Sequence, residues 1–338
     1  MFAFDVVSGR AAREVISESR QDILDVVKEA YLAHESGQSI NPNSYFLRFP
    51  EKPSARIIAL PAYLGGDHDV AGIKWIASFP DNVARNVPRA SAVLLLNDYA
   101  TGYPFACLEA SQISAARTAA SCVLGASTLH GSTRAHRIAV VGAGVIARNI
   151  LEFFTAGQWE IGEFAVYDQV SGYADELVSY SRETLGVAAT TADSLESAVR
   201  GADVVVLATT AATPYISGLD VFSAHQTVLN ISLRDIAPEI VLASHNVVDD
   251  IDHCLTAQTS PHLAEQACGH RDFIDGTLAQ AVLGKLEFDD SKPRIFSPFG
   301  LGILDLAVGS FIYRRAVESG RTTPIDGFFA ETERWQKK

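Results

Sequence analysis

The 338-residue sequence is poor in cysteine: Cys107, Cys122, Cys254 and Cys268 are scattered, with no C-x-x-C pair. A disulfide framework is therefore excluded as the organising device, and reduced thiols in a cytosolic setting are expected. No apolar run approaches the roughly 20 residues that cross a bilayer. The opening Met1-Phe-Ala-Phe-Asp-Val has neither a basic start nor a long apolar stretch, so no secretory signal is expected. Positive charge is in deficit, with 27 Lys and Arg against 40 Asp and Glu, a net of −13. That argues against nucleic acid or an anionic membrane as the main partner. His253, Cys254, His262, Cys268 and His270 crowd one stretch. They lack the short paired spacings of a zinc site, and no metal is expected there. Repeats and low-complexity segments are also missing.

What is present is apolar substance. At 48% hydrophobic residues the chain can bury one large core or, more readily, two. Residues 19–36 put Ile23, Val26, Val27, Ala30 and Tyr31 on one face, an amphipathic helix with Gly37 as its stop. Residues 40–110 carry short β-rich runs separated by Pro, Gly and Asn-Asp turns, which predict a strand-turn-strand sheet. A helix is expected over 113–129. Beyond it, apolar runs at 164–167, 204–207, 228–231 and 247–248 alternate with helical pattern, as parallel strands buried on both faces do. A further helix is expected over 301–315, and the end at 336–338 is expected to be solvated. The fold class is thus α/β, a Rossmann-type doubly wound parallel sheet domain beside an α+β domain. Ligands of such sheets sit at the carboxyl ends of the strands, so catalytic residues are expected to face a cleft between domains.

The most informative motif is Arg137-Ile-Ala-Val-Val-Gly-Ala-Gly-Val-Ile-Ala, followed by a helix and a strand ending at Asp168. Gly142 permits the tight turn, Gly144 the approach of a pyrophosphate, and Ala147 close packing of helix on strand. Amides at the helix start, at Val145 and Ile146, can donate to phosphate. A carboxylate at Asp168 can accept ribose hydroxyls and repels a 2′-phosphate, so NAD is the expected cofactor.

Cations gather in the first part of the chain: Arg48, Arg56, Lys74, Arg85, Arg89 and Arg117. Arg56 and Lys74 stand in apolar β-type runs, where a charge is costly unless paired. They either point out of a half-exposed sheet face or line a pocket for a substrate with several carboxylates. Arg117-Thr118 is expected near a helix start, where side chains and free amides can hold a carboxylate or cofactor phosphates. Asp235 follows a strand and is a candidate general base for activating water, helix capping being the alternative. Thr209, Thr210 and Ser232 follow strands too, as cofactor-lining candidates or plain turn residues.

These segments together resemble the ornithine cyclodeaminase/μ-crystallin superfamily over nearly the whole chain. The marks are Arg56 before a strand ending at Pro61, Lys74 in Gly-Ile-Lys-Trp-Ile, Arg117-Thr118-Ala-Ala, the glycine turn, and Asp235 with Glu239. Within it, Gly65-Gly-Asp-His, Arg85-Asn-Val-Pro-Arg-Ala-Ser, Leu96-Asn-Asp, Glu109-Ala-Ser, Val248-Asp-Asp and Ser297-Pro-Phe-Gly-Leu-Gly are similar to the branch that makes 2,3-diaminopropionate for siderophores and antibiotics. The resemblance implies NAD-dependent oxidative hydrolysis of N-(2-amino-2-carboxyethyl)-L-glutamate to 2-oxoglutarate and 2,3-diaminopropionate, with a pyridoxal-phosphate-dependent synthase as pathway partner. It implies a homodimer made through a substrate-binding domain at 1–125, an NAD-binding domain at 126–305, and a C-terminal helix at 306–338 returning to the first domain. It implies that Arg56, Arg117 and Lys74 hold the α-carboxylate. Arg48, Arg85 and Arg89 are candidates for the distal carboxylates, and Asp235 handles the proton of attacking water. A cyclodeaminase, an alanine dehydrogenase, a ketimine reductase and a crystallin-like binding protein remain alternatives.

Overall fold

The computed structural model describes residues 2–334, so the end at 336–338 lies outside the described residues. The chain opens with β1 (Asp5–Val7), α1 (Gly9–Glu18), α2 (Arg20–Glu35), β2 (Ser39–Ile40), β3 (Tyr45–Phe49), β4 (Lys52–Leu64), β5 (Val70–Ser78), β6 (Ala90–Asp98), β7 (Pro104–Glu109) and α3 (Ser111–His130). There follow β8 (Arg134–Val141), α4 (Val145–Ala156), β9 (Glu160–Tyr167), α5 (Ser171–Tyr180), β10 (Ala189–Thr191), α6 (Leu195–Val199), β11 (Val204–Leu207) and β12 (Thr227–Asn230). The remainder is α7 (Pro238–Leu242), β13 (His245–Val248), α8 (Ile251–Cys254), α9 (Ser260–Cys268), β14 (Gly276–Thr277), α10 (Leu278–Val282), β15 (Arg294–Ser297), α11 (Gly302–Glu318) and β16 (Thr323–Pro324).

Two compact units result. One ends at Arg117 and resumes at Leu301; the other runs Thr118–Gly300. The expected changeovers after 125 and 305 thus lie a few residues later than the observed ones, the first boundary falling inside α3 in either case.

The first unit is built on a mixed sheet in the order β16-β1-β7-β6-β5-β4-β2, with β3 also on β4. Its long central strands pair antiparallel, while β1 joins β7 in parallel. Side chains alternate across such a sheet, so residues of even number on β4, β5 and β6 share one face. On that face α11 lies close. A methyl group added at Gly72 would overlap the Leu95 carbonyl and sit 2.8 Å from Leu306, and Gly302 is 3.3 Å from the Leu60 carbonyl by the same measure. Ile303, Leu304, Leu306, Ala307 and Val308 are all fully buried, as are Leu94, Leu96 and Leu108. Ser8 caps α1 by accepting from the Ala11 amide, and the apolar stripe of α2 is buried from Ile23 to Tyr31.

The second unit is the doubly wound domain. Its sheet runs β10-β9-β8-β11-β12-β15-β13-β14, and every pairing is parallel. The order reverses between β8 and β11, the switch point at which such sheets bind ligands beyond the strand carboxyl ends. Val205, Leu207, Val228 and Ile295 sit in its core with Ala139 and Val141. β15, like β10 and β14, is a strand that the apolar pattern does not reveal. Only four residues long and flanked by Pro293 and Pro298, it is nevertheless inserted between β12 and β13.

Candidate functional site

In the second unit, β8 delivers the chain into the glycine turn. Gly142 has φ +93°, and its amide donates to the Tyr167 carbonyl at 2.8 Å. A Cβ there would stand 2.6 Å from the Ala208 carbonyl oxygen, so both the conformation and the space demand glycine. Gly144 is the extended residue before α4, with nothing within 4 Å of an added Cβ. The helix has no side-chain cap and no acid in its first turn, which leaves the Val145 and Ile146 amides facing outward at the positive end of the helix dipole. Ala147 is fully buried against the strands. Asp168, past the end of β9, accepts from the Ala143 amide at 2.8 Å and the Val170 amide at 2.9 Å. Each carboxylate oxygen keeps a lone pair for a hydroxyl. An uncapped helix start beside a tethered carboxylate fits the pyrophosphate and ribose of a dinucleotide.

A second group in this unit surrounds Asp235, which is completely buried. Thr209 Oγ1 lies 2.9 and 2.8 Å from its two oxygens, and the Tyr215 hydroxyl donates to Oδ2 at 3.1 Å. Burial pushes the Asp235 carboxyl above its ordinary range, while hydroxyls of Ser232, Thr209 and Tyr215, and the Arg234 charge, pull it back. Ser232 also ties the exit of β12 to β11, its amide and hydroxyl both donating to the Leu207 carbonyl. The approach to Asp235 is strained: Leu233 has φ +78°, and Ala257 and Gln258 have φ +52° and +60°. Arg234 clamps the two strained segments together by donating to the Ala257 and Gln258 carbonyls. Asp235 caps no helix, since α7 begins after Ala237. Thr210 is exposed, and so is Glu239 in the first turn of α7.

The first unit gathers the cations. Lys74, on β5, is 2% exposed and donates to Asp305 Oδ2 at 2.6 Å; Ser114 Oγ lies 3.4 Å from its Nζ. Arg117 Nε reaches the other oxygen, Oδ1, at 3.3 Å. Asp305 itself is fully buried on α11. Desolvation lowers the Lys74 pKa to about 8, helped by repulsion from Arg117 and opposed by Asp305. Two cations against one carboxylate leave net positive charge in a place shielded from water.

Further along the same sheet face, Arg48 on β3 stands directly opposite Arg56 on β4, and Arg56 opposite Ser78 on β5. Ser78 in turn accepts from Arg89 Nη1 at 3.0 Å. Like charges placed opposite each other in this row repel, a cost that a nearby anion offsets. Four residues separate it from the Lys74 row, about 13 Å along the strand. Arg56 is half-buried, Arg48 exposed beside the Phe46 ring, and Arg85 exposed in the turn Pro80–Arg85.

One expectation needs correction. Arg117 and Thr118 do not stand at a helix start, because α3 begins at Ser111. Its first amides, at Ser111 and Gln112, are already taken by the Glu109 carboxylate. Arg117 therefore acts through its side chain alone. Sequence reasoning also missed Asp305, Ser114 and Tyr215. Asp305 did leave a signal, a lone acid inside Gly302-Ile-Leu-Asp-Leu-Ala-Val, the partner that a buried Lys74 requires. Among the described residues no three His, Cys, Asp or Glu side chains converge so as to hold a metal ion.

Comparison with known proteins agrees with this chemistry. The sequence profile described as "Ornithine cyclodeaminase/mu-crystallin family" matches residues 8–320. The chain is 32% identical over 337 residues to an N-((2S)-2-amino-2-carboxyethyl)-L-glutamate dehydrogenase of Staphylococcus aureus (strain NCTC 8325 / PS 47), covering 93% of this chain and 99% of that one. Among solved structures it is similar to Thermococcus litoralis Δ1-pyrroline-2-carboxylate reductase in complex with NADH and L-proline, with a TM-score of 0.87 at 24% identity over 95% of this chain and 100% of that one. It is also similar to an archaeal alanine dehydrogenase dimer with bound NAD, at a TM-score of 0.85 and 24% identity over 97% and 100% of the two chains.

The charge arrangement around Asp305 has a direct consequence for stability. Asp305→Ala leaves two cations facing each other without a counter-charge, and is expected to cost about 3–5 kcal/mol. Lys74→Met leaves Asp305 its Arg117 partner and should cost less. Urea unfolding midpoints compare the two; equal losses would contradict the bridging role.

Proposed function

The chain belongs to the ornithine cyclodeaminase/mu-crystallin family, and from that premise we propose that it oxidises N-(2-amino-2-carboxyethyl)-L-glutamate with NAD, releasing 2-oxoglutarate and L-2,3-diaminopropionate. The observation that carries this reading is the convergence of two buried cations, Lys74 and Arg117, on the single carboxylate of Asp305. The substrate has three carboxylates, and a surplus of cations suits it. A diamino acid, the substrate of a cyclodeaminase, calls for an acidic recess around its distal ammonium. Likeness to the Staphylococcus aureus dehydrogenase along almost its entire length supports the same choice.

The residues divide the work. Lys74 and Arg117 hold the α-carboxylate of the glutamate half, with Arg56 as a third donor; guanidinium forks match a carboxylate in plane. Arg48 and Arg89, and more weakly Arg85, meet the distal carboxylates. The Val145 and Ile146 amides hold the dinucleotide phosphates behind Gly142 and Gly144, and Asp168 holds the ribose hydroxyls. NAD held by these groups would supply the acceptor for the hydride of the glutamate α-carbon. Asp235 accepts a proton from the water that adds to the resulting C=N bond. It then returns a proton to the nitrogen as the C–N bond breaks and the diamino acid leaves. Thr209 holds the Asp235 carboxylate for that exchange. The substrate is itself a secondary amine, so a C–N-forming step must supply it, here a pyridoxal-phosphate-dependent synthase joining activated serine to glutamate. The diamino acid released would enter siderophore or antibiotic assembly.

A homodimer made through the first unit belongs to this reading. Tyr45, Ala59, Trp75 and Val93 form one cross-strand row on the face opposite Lys74. Tyr45, Trp75 and Val93 are 69%, 41% and 42% exposed, an apolar patch suited to a second copy.

Purified protein given the synthetic conjugate and NAD⁺ is expected to release NADH together with 2-oxoglutarate and 2,3-diaminopropionate in equal amounts. NADP⁺ should serve poorly. Ammonia released without net NADH would instead indicate a cyclodeaminase, and no reaction would remove the proposal. Lys74 provides a pH signature. Its ammonium binds the carboxylate only while protonated, so kcat/KM should fall as pH rises past about 8. Lys74→Arg, charged throughout, should push that limb to higher pH; a limb that stays in place would exclude Lys74 as its source. Light scattering tests the dimer, with Trp75→Glu expected to halve the mass. A monomeric parent protein at micromolar concentration would exclude the interface.

A further inference from the structure

We propose that Tyr215 is a positioning residue for Asp235, its hydroxyl supplying the second donor that fixes this buried carboxylate for proton transfer. The proposal deepens the reading above and rests on Asp235 being the group that exchanges protons.

The count of donors is the first argument. Thr209 Oγ1 stands 2.9 and 2.8 Å from the two Asp235 oxygens, but a hydroxyl has one proton and serves one oxygen at a time. With Thr209 on Oδ1, and the Ser232 hydroxyl directed to the Leu207 carbonyl at 3.1 Å, Oδ2 takes its hydrogen bond from the Tyr215 hydroxyl at 3.1 Å. Burial and the Asp235 charge both raise the Tyr215 pKa, so the phenol stays protonated and remains a donor throughout the working range.

Backbone geometry is the second. The Tyr215 and Ile216 amides both donate to the Asp235 carbonyl, at 3.1 and 2.9 Å, and the Ala237 amide donates back to the Ile216 carbonyl at 2.9 Å. Ile216 and Ile236 thereby form a parallel bridge. The segment bearing the phenol is strapped to the segment bearing the carboxylate, and neither can swing away alone. Tyr215 is otherwise 42% exposed, a large ring at the surface with its polar end turned onto a buried acid. The other groups facing the pair are the Ser232 hydroxyl, the Arg234 guanidinium and, beside Tyr215, the Tyr167 phenol.

Tyr215→Phe keeps the ring and removes only the donor. The proposal expects the acid limb of kcat/KM for conjugate oxidation to move up by about one pH unit, the worth of one hydrogen bond to a charged group. Activity below the limb should then drop about tenfold, with the thermal midpoint nearly unchanged. Asp235→Asn should abolish the limb, and adding Tyr215→Phe to it should change little further. Titration of ¹³C-aspartate-labelled protein, with the Asp235 signal assigned by its loss in Asp235→Asn, reports the same shift without substrate. A titration and limb unmoved in Tyr215→Phe would overturn the proposal. So would a rate loss equal at every pH with a lowered thermal midpoint, the mark of a structural role only. If the parent protein ignores the conjugate, the assigned function falls, while the carboxyl titration still decides Tyr215.

Discussion

Two cations compete for one buried carboxylate, and the chemistry of the first unit depends on that imbalance. Lys74 and Arg117 both address Asp305, one to each oxygen. Such a triad is a poor stability device. Desolvating each ion costs several kcal/mol, and a close pair regains only about 4 kcal/mol at the effective dielectric of a protein. Apolar side chains of similar volume would hold α11 against β5 equally well. What they would not supply is the leftover positive charge, and that surplus is the asset of the arrangement. Desolvation lowers the Lys74 pKa to about 8, close enough to neutrality for its charge to respond to the medium.

The second unit is organised by backbone constraint instead of charge. Gly142 is forced by the Ala208 carbonyl as much as by its own φ, so the turn and the end of β11 specify each other. Asp235 is reached through Leu233, whose left-handed conformation costs about 1–3 kcal/mol in a residue with a side chain. Arg234 and the Ser260 amide, which donates to the Leu233 carbonyl at 2.7 Å, hold that segment to its neighbour. Strain is thus concentrated beside one buried acid and secured from two directions.

Much of this was legible in the residues. The glycine turn, the apolar parallel strands and the amphipathic α2 follow from local pattern, because each is decided within one element. Lys74 was legible as a charge where none belongs. Its partner was harder to find, since Asp305 lies 231 residues away and only the packing of α11 on β5 brings them together. Tyr215 sits in an irregular stretch without periodicity, and its value comes from a bridge to residues 235–237 that no local rule predicts. The free helix-start amides expected beside Arg117 and Thr118 are absent for a different reason. Glu109 ends a strand, and its second role as acceptor for the next helix's first amides does not show in alternation. β15 fails the apolar test because it has four residues and opens on an arginine.

The two buried acids show how one side-chain type is given two occupations. Asp305 faces full positive charges, and its oxygens are committed to holding Lys74 and Arg117 in register. Asp235 faces neutral hydroxyls from Thr209 and Tyr215, with Ser232 and Arg234 close by. Burial raises its pKa above the ordinary carboxyl range, with the hydroxyls and the Arg234 charge opposing the shift in part. Asp235 is thus held by neutral donors, whereas Asp305 is locked between two full charges. The difference lies in the neighbours: two ion pairs fix Asp305 in the first unit, and hydroxyl groups fix Asp235 in the second.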